Sequence, residues 1–181
     1  MKRNYLFRSE RLGFRHWQDD DVAVFTEMNR NPDVMEYFPK MLTPEETAGM
    51  VERIHTHFRE HGYGLYAVDI LATEEFIGYI GFTHPRFHAF FTPCIEIGWR
   101  LKKSVWGQGY ATEGAIRCLQ FGFHELQFAE VYSFTAVINH RSENVMKKAG
   151  MEKVDAFEHP AIEEGNPLRT HVLYNIAADH L

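Results

Sequence analysis

The amino-acid sequence predicts an α+β fold built on a mixed sheet. About seven segments have the length and composition of strands, and about four have apolar residues at the three- and four-residue steps of a helix. Helices interleave with strands, yet some neighbouring strands are joined by short turns, so the sheet contains antiparallel pairs. The chain has 181 residues, of which 45% are hydrophobic, and residues 1–181 are expected to form one domain.

The first part of the chain is predicted to hold one strand and two helices. Residues 1–10 are polar and form a lead-in, and residues 12–17 alternate well enough for a strand. Acidic residues 19–21 favour the start of a helix, because carboxylates stabilise a helix N-terminus. Residues 43–46 form a capping box with proline at the first helical position, and the helix that follows runs to about His61.

A hairpin and the central strand come next. Residues 65–69 and 76–82 are strands that pair most simply as an antiparallel hairpin. An aromatic-rich loop at residues 84–93 leads to an apolar strand at residues 94–101. We expect this last strand to be the centre of the sheet.

The second half of the chain is predicted to alternate helices and strands. A helix at residues 111–125 is followed by a strand at 130–136 and a short helix at 142–149. The last two strands are expected at residues 152–157 and 171–178.

A glycine loop precedes the third predicted helix. Gly107 and Gly109 allow the backbone to turn where a Cβ would clash, so that successive N–H groups and the helix N-terminus can face one anion. Tyr110 and Ala111 stand where a nucleotide P-loop has Lys and Ser or Thr, and the dinucleotide pattern G-x-G-x-x-G is absent. The loop therefore indicates another phosphate ligand, with an ordinary strand-to-helix turn as the alternative.

Two segments resemble the GNAT N-acetyltransferase superfamily. The first is WGQGYATE at residues 106–113, preceded by EIGWRL at residues 96–101. The second is NHRSENVMKKAGM at residues 139–151, which is similar to the branch that contains the ribosomal-protein N-terminal acetyltransferases. The resemblance extends over residues 11–178. It implies a mostly antiparallel sheet of about seven strands flanked by about four helices, and transfer of an acetyl group from acetyl-CoA to a primary amine.

The resemblance also implies where acetyl-CoA binds. Pantetheine is expected along the splayed central strand, with Gly98 at a bulge, and the diphosphate on the loop amides. Polar residues of the fourth helix complete the set. These residues are Ile97, Gly98, Trp99, Arg100, Leu101, Trp106, Gly107, Gln108, Gly109, Tyr110, Ala111, Thr112, Asn139, Ser142 and Asn144.

Glu96 and Ser142 are the candidate catalytic residues. Deprotonating an amine at pH 7 costs about 4.6 kcal/mol for lysine and about 1.4 kcal/mol for an α-amine, so a weak base suffices for the latter. Glu96 lies beside Gly98 on the same side of the strand, and its alternative role is a salt bridge with Arg100. The resemblance places Met146 where many relatives have a tyrosine that acts as a general acid and protonates the leaving thiolate. Ser142 is a replacement for that tyrosine or, alternatively, a helix cap.

The acceptor pocket is the part of the site for which the sequence gives the fewest indications. The resemblance places Trp17, Phe38, Phe82 and His159 at the substrate walls, although aromatic residues also build cores. The expected acceptor is a small amine or a protein N-terminus, and the protein is expected to be a monomer or a homodimer. The alternative is a non-catalytic acyl-CoA-binding domain, a hypothesis that Met146 motivates.

Composition argues against several other functions. The net charge is −6 without a long basic block, which disfavours nucleic-acid binding. No apolar run is long enough for a membrane span, and no signal peptide is evident. Cys94 and Cys118 are predicted to be buried thiols of a cytoplasmic protein, and the eleven histidines show no metal-ligand spacing.

Overall fold

The structure, a computed structural model, describes residues 3–180. In this range one mixed sheet is formed by the strands β1 Phe7–Arg8, β2 Leu12–Arg15, β3 Leu65–Ile70, β4 Glu75–Thr83, β5 Glu96–Leu101, β6 Glu130–Ala136, β7 Glu152–Glu158 and β8 Thr170–Ala177. The α-helices are α1 Asp19–Asn29, α2 Pro44–His61, α3 Tyr110–His124 and α4 His140–Lys148. The strand order is β1-β2-β3-β4-β5-β6-β8-β7, and each neighbouring pair is antiparallel except β5 with β6.

The predicted mixed, mostly antiparallel sheet is confirmed, with eight strands rather than about seven. The additional strand is β1, which lies in the predicted lead-in and pairs Phe7 with Phe14. The Phe7 ring stacks on Phe14 at 4.4 Å and on Phe121 of α3 at 4.1 Å between centroids. Burial of the Phe7 ring stabilises β1, a strand of two residues that is too short to be recognised from alternation of apolar and polar residues.

Caps account for most of the helix boundaries. The predicted capping box of α2 is present, since the Glu46 amide donates to Thr43 Oγ1 at 3.2 Å and the Thr43 amide to Glu46 Oε2 at 2.9 Å. Helix α4 begins at His140 rather than at Ser142, because Asn139 is its cap.

The central strand is shorter than predicted. β5 begins at Glu96 rather than at residue 94, and Cys94 is half-buried instead of buried.

The helices cover both faces of the sheet. On one face, Phe25 of α1 packs edge-on against Tyr79 of β4, with 5.8 Å between ring centroids. On the other face, Gly114 of α3 lies so close to Ile80 that a Cβ there would be 2.2 Å from Ile80 Cδ1. Among the described helices, none is long and apolar enough to cross a bilayer.

A buried ionic cluster joins α1 to the sheet. Arg15 of β2 donates from Nη1 to Asp21 Oδ2 at 2.6 Å and from Nε to Asp69 Oδ2 at 2.7 Å. All three residues are at most 2% exposed. The cluster therefore satisfies a guanidinium that would be costly to bury alone.

Asp69→Asn is expected to lower the free energy of unfolding by about 3 kcal/mol, because it leaves the buried Arg15 charge with one carboxylate. Urea denaturation measures the change. The control is Glu27→Gln, which removes an exposed ion pair with Arg30 and is expected to change stability by less than about 0.5 kcal/mol. Equal stability of the two variants would contradict the assignment of Asp69.

Candidate active site

The two parallel strands at the centre of the sheet separate soon after they meet. β5 and β6 pair at Glu96 and Tyr132, and the Ser133 hydroxyl donates to the Ile97 carbonyl at 2.9 Å. The pairing of β5 with β4 is regular across Gly98, so the predicted bulge at Gly98 is wrong. The opening in the sheet comes instead from the divergence of β6 from β5.

A cavity of about 720 Å³ occupies this opening and extends between the N-terminal ends of α3 and α4. It brings together most of the residues that the sequence predicted for the site. Those lining it are Phe38, Glu96, Ile97, Gly98, Trp99, Arg100, Leu101, Trp106, Gly107, Gly109, Tyr110, Ala111, Thr112, Asn139, Ser142, Asn144 and His159.

The glycine loop presents unused amides to the cavity. Gly107 and Gly109 have φ of 75° and 82°, a left-handed backbone that favours glycine, and Gly109 caps α3. Within residues 3–180, no protein group accepts a hydrogen bond from the amides of residues 107–112. The Trp106 amide is the exception to the prediction, since it donates to the Lys103 carbonyl at 3.2 Å. The remaining donors lie at a helix N-terminus, where an anion is stabilised.

Gln108 does not line the cavity. Its carbonyl accepts from Arg11 Nη1 at 3.0 Å, and its side-chain amide donates to the Ser104 carbonyl at 3.2 Å. Only its backbone amide is left as a candidate donor to a diphosphate.

The loop is braced from the β1–β2 turn, a contact that the sequence did not reveal. Arg11 Nε donates to Glu113 Oε2 at 2.6 Å, and the Ser9 hydroxyl donates to Glu113 Oε1 at 2.6 Å. Burial tends to raise the pKa of Glu113, but the hydrogen bonds from Ser9 and Arg11 lower it overall. The glutamate that closes the WGQGYATE motif therefore holds the loop in place.

Glu96 is a half-buried carboxyl on the cavity wall. Desolvation by the surrounding protein raises its pKa to about 8. The alternative salt bridge with Arg100 is absent from the described structure, where Arg100 Nη1 donates to Asn29 Oδ1 at 2.6 Å. The carboxylate form of Glu96, whose fraction grows as the pH approaches 8, can take a proton from an amine.

Gly98 keeps space open beside this carboxyl. A Cβ on Gly98 would have one near neighbour, Glu96 Oε1 at 3.9 Å, whereas a Cβ on its cross-strand partner Gly81 would meet the Gly64 carbonyl at 2.2 Å. Gly81 is thus required for packing. Gly98 instead leaves room for a ligand next to Glu96.

Gly98→Ala is expected to lower kcat/KM about 10-fold with little change in melting temperature, because the added methyl enters the cavity and not the core. Gly81→Ala is the matched control and is expected to lose about 2 kcal/mol of stability. Thiol-release kinetics and thermal denaturation distinguish the two effects. A destabilised Gly98→Ala with unchanged activity would show that Gly98 serves packing.

Helix α4 places Ser142 on the cavity wall. Asn139 Oδ1 accepts from the Ser142 amide at 3.2 Å, and Asn139 Nδ2 donates to Thr135 Oγ1 at 2.9 Å. The cap of α4 is therefore Asn139 and not Ser142, and the Asn139 side chain is already hydrogen-bonded. Asn144 is exposed at the cavity, whereas Met146 is 1% exposed in the core.

The expected substrate walls divide into two groups. Phe38 and His159 line the cavity, and burial lowers the pKa of His159. Trp17 and Phe82 do not line it, and the expectation for both is corrected. Trp17 donates from Nε1 to the Leu65 carbonyl at 2.7 Å inside the core, and Phe82 is 0% exposed on the α3 face.

Sequence reasoning did not place Phe134 or Tyr79 at the cavity, although both line it. Tyr132 pairs with Glu96 in the parallel register, so Phe134 and Gly98 point to the same face two residues further along. Alternation along the strands would have found Phe134 once the pairing was known. Within residues 3–180, no cluster of three or more His, Cys, Asp or Glu side chains is arranged to hold a metal ion.

Comparison with known proteins gives the same picture as the geometry. Residues 11–152 match the family model described as an acetyltransferase (GNAT) domain. A relative, the uncharacterized protein YkkB from Bacillus subtilis (strain 168), is 30% identical over 144 residues, which are 79% of this chain and 83% of that protein.

Two solved structures share the fold over nearly the whole chain. A GNAT-family acetyltransferase from Bacillus anthracis has a TM-score of 0.78 at 27% identity, covering 95% of this chain and 98% of that one. The ribosomal L7/L12 α-N-protein acetyltransferase RimL, in complex with coenzyme A, has a TM-score of 0.79 at 16% identity, covering 98% of this chain and 100% of that one. The chain therefore belongs to the GNAT acetyltransferase family and is an acyltransferase.

Proposed function

We propose that this protein transfers the acetyl group of acetyl-CoA directly to a primary amine held beside Glu96. The observation that carries the proposal is a single cavity that joins the unused amides of residues 107–112 to the Glu96 carboxyl across the gap between β5 and β6. One end of this cavity suits a diphosphate, and the other end suits an amine.

The cofactor end works through backbone groups. The amides of residues 107–112 are candidates to bind the diphosphate, and the α3 dipole adds to their attraction. The β5 backbone beyond Ile97 faces the gap left by β6, which suits pantetheine, and an N–H there is a candidate donor to the acetyl oxygen. Acetyl-CoA supplies a thioester, whose thiolate leaves as the amide forms.

The acceptor end works through one proton transfer. The Glu96 carboxylate takes a proton from the ammonium or the attacking amine, and its pKa of about 8 matches an α-amine near 8 better than a lysine near 10.4. Ser142 lines the same cavity, and its hydroxyl is the candidate proton donor to the leaving thiolate, with a water molecule returning a proton to the serine oxygen. RimL, which shares the fold, is named as an α-N-protein acetyltransferase, and this also favours an α-amine.

Two measurements test the proposal. Calorimetry with acetyl-CoA is expected to give micromolar binding, and thiol release is expected to accelerate with at least one amine of a broad panel. Acetyl-CoA binding without turnover of any amine would favour the non-catalytic acyl-CoA-binding alternative. No binding below millimolar concentration by a folded sample would contradict the cofactor assignment.

A further inference from the structure

Arg100 is a buried cation without a counterion. Its residue is 7% exposed, and within the described range no carboxylate lies within 4 Å of its guanidinium. Nη1 donates to Asn29 Oδ1, while Nε is buried and has no hydrogen-bond partner. Such a charge is costly unless a partner binds it.

Arg15, which is also buried, shows the contacts that a purely structural guanidinium makes in this fold. Arg15 makes four hydrogen bonds of 2.6–2.8 Å to the carboxylates of Asp21 and Asp69. Arg100 has no equivalent, and it differs from Arg15 in lining the cavity. Within residues 3–180, Arg100 therefore brings a guanidinium without a carboxylate partner to the cavity wall.

Aromatic rings hold the Arg100 guanidinium in place. Cζ lies 4.0 Å from the ring centroid of Phe38, 5.6 Å from that of Tyr79 and 5.8 Å from that of Phe25. Ring faces attract the cation but do not accept its in-plane N–H groups as a carboxylate does. The planar fork of arginine is suited to bidentate binding of an acid group.

Arg100 lies on the same face of β5 as Glu96 and Gly98, because side chains two residues apart point to one side of a strand. The Cα atoms of Glu96 and Arg100 are separated by four residues of strand, roughly 13 Å, and both residues line the cavity. A small molecule lying along this strand would meet a carboxyl at one end and a guanidinium at the other.

We propose that Arg100 binds a carboxylate of the acceptor, so that the acceptor is a small amine of the amino-acid class. This inference rests on the proposed acetyl transfer. A polyamine fits less well, because Glu96 and Asp33 are the carboxylates lining the cavity in the described structure and Asp33 is paired with Lys103 at 2.6 Å. A second cationic group would also meet the Arg100 charge.

The test uses amines in matched pairs that differ by the carboxylate. The pairs are phenylalanine with phenethylamine, tryptophan with tryptamine, γ-aminobutyrate with propylamine, and ε-aminocaproate with pentylamine. Thiol release is measured for the wild type, Arg100→Gln, Arg100→Lys and the control Arg30→Gln, which removes an exposed guanidinium outside the cavity.

For at least one pair, the wild type is expected to show kcat/KM about 100-fold higher for the carboxylated member. This ratio should fall to within about 3-fold in Arg100→Gln and stay unchanged in Arg30→Gln. It should take an intermediate value in Arg100→Lys, because lysine keeps the charge but loses the planar fork of N–H donors. If Arg100→Gln does not fold, Arg100→Lys carries the assignment, because Arg141 and Lys148 also line the cavity and the wild-type ratio alone does not separate them from Arg100. A ratio that stays at the wild-type value in Arg100→Gln or Arg100→Lys overturns the inference.

The outcomes separate the two proposals. Turnover that is indifferent to the carboxylate in every pair, or faster without it, overturns the inference and leaves acetyl transfer in place. Failure to acetylate any amine, with acetyl-CoA bound, overturns the proposed function and this inference with it.

Discussion

Glu96→Gln is expected to lower kcat about 100- to 1000-fold, the loss typical for removal of a general base. The amide keeps the shape of the carboxyl but cannot take a proton from the amine. Cofactor binding is expected to persist, because Glu96 is the first residue of β5 and the loop amides of residues 107–112 follow the far end of that strand. Thiol-release kinetics at saturating amine measure kcat, and calorimetry measures the affinity for acetyl-CoA.

The pH dependence gives this prediction a second readout. The acting form of Glu96 is the carboxylate, so kcat/KM of the wild type is expected to rise with pH and level off above about 8. With an amine whose own pKa is about 10.4, Glu96→Gln should lack the inflection at about 8 and keep only the rise that follows the titration of the amine. A variant within 3-fold of the wild type, with the same pH profile, would assign the base to another group.

As the pH rises, the free energy of unfolding is expected to fall while kcat/KM rises. Because the folded-state pKa of Glu96 is raised above its ordinary value of 4.5, the folded protein binds the proton more tightly than the unfolded chain. Stability is then lost as pH rises from 4.5 to about 8. Glu96→Gln, which has no charge to desolvate, is expected to be the more stable protein above pH 8, as thermal denaturation would show. The exposed Glu75→Gln is the control.

Thr112→Glu is expected to weaken acetyl-CoA binding about 100-fold without unfolding the protein. Thr112 lies in the first turn of α3 and lines the cavity beside the loop amides. A carboxylate at this position stabilises the helix by about 0.5 kcal/mol through its dipole, yet it repels a diphosphate at the same N-terminus. Calorimetry gives the affinity, and the melting temperature reports the fold.

The neutral variant Thr112→Gln isolates the charge in this prediction. It adds a side chain of the same size, so it is expected to weaken binding by less than about 5-fold. Equal losses in both variants would mean that bulk and not charge is responsible. Unchanged affinity in Thr112→Glu would mean that the diphosphate binds elsewhere.

The sequence predicted those parts of the site that depend on local backbone. The glycine loop, the capping box at Thr43 and the strand carrying Glu96 follow from residue types at short spacings. Asn139 shows the limit of such reasoning. It is predicted to contact the cofactor and it lines the cavity, but the sequence did not show that its Oδ1 also accepts from the Ser142 amide and so caps α4.

Contacts between distant segments could not be predicted. Arg11 and Ser9 brace the loop through Glu113 from about a hundred residues away, and no local period records that pairing. The same applies to Trp17 and Phe82, whose aromatic rings suit a pocket and a core equally well. Which face of the sheet each ring occupies is decided by the register with neighbouring strands, and this emerges only in the folded chain.

The most direct test of the account follows the loop amides during cofactor binding. In ¹⁵N-labelled protein, the amide resonances of Gly107, Gly109 and Ala111 are expected to shift on titration with coenzyme A and to stay unmoved with pantetheine, which lacks the diphosphate. Saturation by coenzyme A with these amide resonances unchanged would contradict the account.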